Sequence, residues 1–206
     1  LEDGANLSAD MVVVAVGNDK PAPLRALPDE VRAHRRHLAD PWAEDALGDV
    51  DRDATVLVVG TGLTAVDVVA SLARRAHKGD VTAISRRGLM PRVQGQFPGI
   101  EELLRRNSVP VPKFIEDHGW PVSLSQVVRW LRQDVAAADA RGEPWHDAVD
   151  AVRDAAKLIW PRLTVAEKRR FFRHLKPFYD SHRFRIAPQI HKIIQDRMDA
   201  GQLNVH

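Results

Sequence analysis

The residues whose types and spacing could do chemistry are Gly60-Thr61-Gly62-Leu63-Thr64-Ala65. Gly60 permits a tight strand-to-helix turn, Gly62 lets the main chain approach a pyrophosphate, and Ala65 is small enough for close helix–strand packing. A pyrophosphate there would lie on unpaired N–H groups at a helix N-terminus, where the macrodipole also favours negative charge. The competing explanation is that two glycines merely allow a structural turn. An acidic residue about 20 positions further on would take the ribose 2′-hydroxyl of NAD. This sequence instead has Ser85, Arg86 and Arg87. Arginine forks pair bidentately with phosphate and serine can donate a hydrogen bond, so the trio points to the 2′-phosphate of NADP, with NAD as the other candidate. A solvated basic pair at a strand end is the alternative.

These groups need a strand, a helix and a second strand to position them. Thr55 to Val59 is a short, β-branched apolar run, the pattern of a parallel strand buried on both faces. A helix is predicted from the glycine turn to about Lys78-Gly79, and a strand over Asp80 to Ser85. Asp67 falls in the first turns of that helix, where its carboxylate complements the dipole as a structural group. Upstream, Leu1 to Asn6 reads as a hairpin turn. Ala9 to Val16 reads as another buried strand ending at Gly17-Asn18, and Pro21 and Pro23 force an extended exit. Leu24 to Asp53, centred on Asp40-Pro41-Trp42, reads as an irregular connection between two lobes.

The strand ADMVVVAVGN, the proline-bearing connection, DPW, VLVVGTGLTAVDVVASL and AISRRGLMPR together resemble bacterial FAD/NAD(P)-binding flavoproteins, themselves similar to two-dinucleotide flavin monooxygenases. The resemblance is most specific from Asp10 to Arg92 and looser beyond. It implies that Val13 to Gly17 is the strand returning from an FAD lobe and that the glycine turn serves an NAD(P) lobe. The fingerprint for the FAD diphosphate is not in this sequence, and Gly201 to His206 reads as the start of a third strand. The expectation is therefore an internal piece of a longer flavoprotein. Its fold class would be α/β, an incomplete Rossmann-like NAD(P)-binding β-α-β unit with a large inserted helical block. The expected divisions are 1–53 as return strand and linker, 54–92 as the dinucleotide unit, 93–200 as the insertion and 201–206 as the third strand.

After Arg92, residues 93–121 read as a glycine- and proline-rich loop around one short helix, Glu101 to Arg106. On the resemblance, this loop would border the nicotinamide. A helix is predicted over Ser123 to Ala140, with Leu124, Val127, Val128, Leu131, Val135 and Ala138 on one face. A second spans Pro144 to Trp160, stopped by Pro161. Thr164 and Glu167 form a capping box for a third, with Phe171, Phe172 and Leu175 inward. Pro188 and Gly201 bracket a fourth, with Ile190, Ile193 and Ile194 as core contacts. An insertion of this kind is where substrate or partner specificity would be added.

Asp180 to Arg185 sets a histidine and two arginines around an aromatic residue. His182 could relay a proton, and Arg183 or Arg185 could bind a phosphate or carboxylate. A surface loop or an ion-pair anchor is the alternative. Lys168, Arg169, Arg170, Arg173 and Lys176 read as a solvated helix face rather than a nucleic-acid footprint. The five tryptophans read as core residues, and the nine histidines show no metal-ligand spacing. The chain has no cysteine, which excludes disulfides, thiolate nucleophiles and thiolate metal sites. Over 206 residues, 44% hydrophobic and 28% charged content are globular values, and a net charge of +2 is too small for a general nucleic-acid binder. No apolar run spans a bilayer, so a cytoplasmic protein is expected.

The sequence thus reads as the NADPH-binding segment of an FAD-dependent oxidoreductase that passes hydride to flavin. By resemblance, a monooxygenase step on an unidentified small molecule follows. The FAD would belong to the missing lobe of the same chain, and the catalytic residues are unassigned. The second reading is a non-catalytic, dinucleotide-responsive module whose helical block contacts a partner protein.

Overall fold

The computed structural model describes residues 8–13, 21, 22, 24, 26–96, 99–108 and 110–206. The chain divides into two compact units, Leu1–Asp49 and Val50–His206. In the first, the one regular element among the described residues is the single helical turn α1 (Asp29–Arg32). His37 Nδ1 lies 3.0 Å from the carbonyl of Arg32, and the Asp40 carboxylate accepts from the N–H of Trp42 at 2.9 Å. The expected strand over Ala9 to Val16 is not borne out where it is described: residues 9–13 form no strand, and Met11, Val12 and Val13 are 82%, 78% and 80% exposed. A β-branched run becomes a strand only when a neighbouring edge takes its N–H and C=O groups. Residues 14–17, the hairpin turn at 1–6, Asn18 and Pro23 lie outside the described residues.

The second unit is mixed α/β. Its sheet has three parallel strands in the order β1 (Val56–Val59), β2 (Val81–Ile84) and β3 (Leu203–Val205). Helix α2 (Leu63–Arg74) makes the crossover from β1 to β2, as the apolar run, the glycine turn and the second run predict. The strands are in register as Val56, Val81 and Leu203, then Leu57, Thr82 and Asn204, then Val58, Ala83 and Val205. Val81, Ala83 and Leu203 are buried, whereas Leu57 and Val59 are 61% and 54% exposed and Ile84 is 36% exposed. The expectation that β1 is buried on both faces is therefore corrected: one face of the sheet is covered and the other is open.

Between β2 and β3 lie helices α3 (Ile100–Ser108), α4 (Lys113–His118), α5 (Leu124–Ala140), α6 (His146–Ile159), α7 (Val165–Arg170), α8 (Lys176–Arg183) and α9 (Pro188–Asp199). Helix α4 is a correction to the loop expected over 93–121. Pro112, in extended conformation, precedes its first turn, and Gly119, with φ of 80°, ends it. Ser123 caps α5, accepting from the N–H of Gln126. The Thr164–Glu167 capping box at α7 is present in both directions. Pro161 sits in a 3-10 turn, Trp160–Arg162, that follows α6. Helix α7 runs through a π-helical segment, Phe171–Leu175, into α8. The wider π turn breaks the 3.6-residue spacing. Phe171 and Leu175 still face inward, but Phe172 is 57% exposed, against expectation.

The helices carry their own core of Phe114, Ile115, Leu124, Val127, Ala155, Ile159 and Leu163. Burying each large side chain of this set stabilises the fold by about 1.5–3 kcal/mol. Helix α9 returns the chain to the sheet, packing against α2 and β3. Among the described residues, no helix is long and apolar enough to cross a membrane.

Candidate functional site

The carboxyl ends of all three strands meet at one edge of the sheet. Beyond β1, Gly60 donates its N–H to Ile84 O at 2.7 Å. Beyond β2, Ser85 donates to His206 O at 2.7 Å, and His206 donates to Ala83 O at 2.9 Å. The chain leaves β1 through Gly60, whose φ of 120° excludes most L side chains. Gly62 then forms the N-cap of α2 in an extended conformation, φ −83° and ψ −165°, and no side chain caps the helix. The first-turn amides of α2 are therefore without a side-chain partner at the strand ends, where open parallel sheets bind ligands.

The two glycines differ. At Gly60 the backbone angle requires glycine. At Gly62 the angle suits any residue, and a Cβ built there meets no atom of the described residues within 4 Å. Neither conformation nor packing accounts for glycine at position 62. The space that a Cβ would take there is open among the described residues, and position 62 is the uncapped N-cap of α2. Leu63 and Thr64, in the first turn, are exposed, while Ala65 is buried beneath them.

Thr61, only 5% exposed, joins this turn to the loop after β2. Its Oγ1 is 2.7 Å from the carbonyl of Leu89 and 2.9 Å from Ser85 Oγ. A carbonyl only accepts, so Thr61 donates to Leu89 and Ser85 donates to Thr61. Ser85 Oγ in turn accepts from the N–H of Gly88 at 3.0 Å. Its proton is thus used inside the loop, and what the loop presents outward is Arg86 and Arg87, both exposed. The Arg87 guanidinium lies 5.5 Å above the Phe178 ring of α8. Asp67 stands one turn further along α2, half-buried and outside the first turn.

The other sequence-singled cluster is drawn into the helical packing. Asp180, His182 and Arg183 belong to α8, not to a loop. The Arg185 side chain, 4% exposed, forks onto Asp150 at 2.8 and 3.1 Å, donates Nε–H to His182 O at 2.7 Å and lies 4.9 Å from the Trp145 ring. His182 Nδ1 is 2.8 Å from Phe178 O, and its ring meets Trp145 edge-on. The Arg183 guanidinium stacks 5.5 Å from the Phe184 ring. Arg185 thus ties the end of α8 to α6. The strap 92–94 is held beside it by Arg92 N–H to Ser181 O at 2.8 Å and Gln94 N–H to Ile186 O at 2.8 Å.

The structure therefore brings 60–65 and 85–88 together and leaves 182, 183 and 185 in a separate packing network. Sequence reasoning passed over two participants: Leu89, whose carbonyl takes the Thr61 proton, and His206, whose main chain closes the strand-end rim. No local signal marks either. Among the described residues no group of histidines and carboxylates is placed to hold a metal. Comparison of the chain with family models, with curated proteins and with solved structures gives no match.

Proposed function

We propose that the Val50–His206 unit is a Rossmann-like NAD(P)-binding lobe of an FAD-dependent oxidoreductase, with the helices between β2 and β3 as an insertion in that lobe. The observation that carries the reading is Gly62, a glycine that neither its dihedral angles nor its neighbours among the described residues require, at the uncapped start of α2. A pyrophosphate fits there because it is an anion with several acceptor oxygens, and the site offers free N–H donors and a positive helix end. The adenosine 2′-phosphate of NADPH would meet Arg86 and Arg87, while Thr61 and Ser85 hold the loop that carries them.

The dinucleotide, when bound, would supply a hydride for a flavin. The protein's own part is to bind and orient the dinucleotide. Titration with NADPH and NADH by calorimetry tests the reading. The expected result is saturable binding with NADPH preferred, and loss of binding in Gly62→Val at unchanged thermal stability. Undiminished affinity in that variant removes the site assignment. Reduction of added flavin by NADPH, followed by its absorbance, separates an oxidoreductase from a module that only binds the dinucleotide.

A further inference from the structure

A second concave surface lies far along the chain from the glycine turn. A groove of about 660 Å³ runs between α5 and the π-helical segment. Its α5 wall is formed by Ser125, Val128, Arg129, Arg132, Gln133 and Ala136, a single helical face extending over roughly 16 Å. The opposite wall carries Arg170, His174 and Leu175. Here the π turn matters: with more than four residues per turn, positions 170, 174 and 175 fall on one side.

The groove has two chemistries. Leu124, Val128 and Leu175 give it an apolar floor, and Arg129, Arg132, Arg170 and His174 give it a basic rim. Among the described residues no carboxylate lines it. Arg129, Arg132 and Arg170 make no ion pair among the described residues; Arg170 is near Glu167, whose carboxylate is turned to the N–H groups of Leu124 and Thr164. The rim arginines are exposed along the groove, so it is open on one side. Small-molecule sites bury most of their ligand, which an open trough does not do. Among the described residues no Phe, Tyr or Trp lines it, so they offer no stacking platform of the kind single-strand nucleic-acid binders use. A trough between two helical ridges, three turns long, has the shape that a third helix fills.

We propose that this groove binds an acidic amphipathic helix of a partner protein. Its apolar residues at i, i+3 or i+4, and i+7 lie on Leu124, Val128 and Leu175, and its carboxylates meet Arg129, Arg132 and Arg170. The site is independent of the dinucleotide reading.

The test uses the 206-residue chain and a fluorescein-labelled, capped peptide of repeating Leu-Glu-Glu-Leu units, roughly 16 residues long so as to exceed the groove. A scrambled peptide of the same composition and a single-stranded oligonucleotide serve as competitors. The expected result is saturable anisotropy that weakens as salt rises. It should fall roughly tenfold or more in affinity with Arg129→Glu and Arg132→Glu together, about 1.4 kcal/mol per decade. Ala136→Trp, which fills the groove without changing charge, should also abolish binding while circular dichroism and melting temperature stay at the parent values. Absence of binding, binding that ignores both variants, or equal affinity for the scrambled peptide or the oligonucleotide would each overturn the proposal. The last outcome would point to nucleic acid instead.

Discussion

Arg197 donates from Nη2 to Nδ1 of His77 across 3.3 Å, and His77 donates its Nε2–H to Ala54 O at 2.8 Å. Arginine has no acceptor, so this contact fixes the imidazole tautomer. The same guanidinium donates to the carbonyls of His77 at 3.1 Å and Gly79 at 3.0 Å. One side chain of α9 thereby secures the entry to β1 and the turn into β2. Arg197 is 5% exposed, its Nε has no partner among the described residues, and burial lowers its pKa. Replacing it with Met strands two carbonyls and a ring nitrogen, and should cost about 2–3 kcal/mol, read as a lower urea midpoint. Arg197→Lys should recover little, because an ammonium cannot span the same three acceptors.

The glycines of the strand-to-helix turn should separate by experiment. Gly60→Ala forces an L residue to φ of 120° and should lower the melting temperature, at about 1–3 kcal/mol of strain. Gly62→Ala meets neither strain nor neighbour, so it should leave the melting temperature unchanged while weakening NADPH binding by calorimetry. If both variants lost stability alike, Gly62 would be a turn residue and the argument for a ligand in front of it would fail.

What the sequence made legible was local. The Thr164–Glu167 box, the helix over 123–140 and the glycine turn each depend on residues a few positions apart, and all three form where their spacing predicts. Gly201 ends α9 with φ of 71°, with Gln202 N–H returning to Arg197 O. What was illegible depends on distant partners. His77 and Arg197 are 120 positions apart, and Asp150 and Arg185 are 35 apart, so no pattern in either neighbourhood announces the pairing. The π turn hid the outward rotation of Phe172, because a 3.6-residue period assumes the helix it is used to find. The open sheet face was misread for a related reason: an apolar run such as 55–59 encodes the propensity for a strand, not how many of its faces are covered.

Ala76 offers a stabilising change. It closes α2 at φ of 57°, with His77 N–H returning to Leu72 O at 3.0 Å. That is the left-handed position after a helix that glycine normally fills, as Gly142 does after α5. An L residue there costs roughly 1–2 kcal/mol. Ala76→Gly should therefore raise stability by about 1 kcal/mol after allowing for the extra freedom of glycine in the unfolded chain. Denaturant titration at constant slope would show it, and a loss of stability would refute the assignment of strain to this residue.

Glu167 predicts a pH dependence. The N–H of Leu124 foremost, then the N–H and hydroxyl of Thr164, hold its carboxyl below the ordinary glutamate value. A carboxylate with a depressed folded pKa contributes stability that is fully present above the unfolded value of about 4.3. That contribution is lost as pH falls through the folded one. Glu167→Gln should therefore show a flatter fall in urea midpoint between about pH 5 and about pH 3 than the parent chain. Identical slopes would mean that the cap does not distinguish the charged from the neutral carboxyl.

The chain of hydroxyls from Gly88 through Ser85 and Thr61 to Leu89 ties structure to selectivity. Thr61→Val keeps the shape of the side chain but leaves Leu89 O and the Ser85 proton without their partner, at a cost of about 1–2 kcal/mol. The loop bearing Arg86 and Arg87 would then lose its tie to the glycine turn and keep the Gly88–Ser85 bond and the Phe178 contact. If those arginines take a 2′-phosphate, the loosened loop should weaken NADPH several-fold, on the order of 1 kcal/mol, and leave NADH nearly unchanged, because NADH has no group there. Arg86→Ala in the same assay provides the direct comparison. A Thr61→Val protein that lost both dinucleotides equally would assign the hydroxyl chain to the glycine turn alone and take Arg86 and Arg87 out of the site.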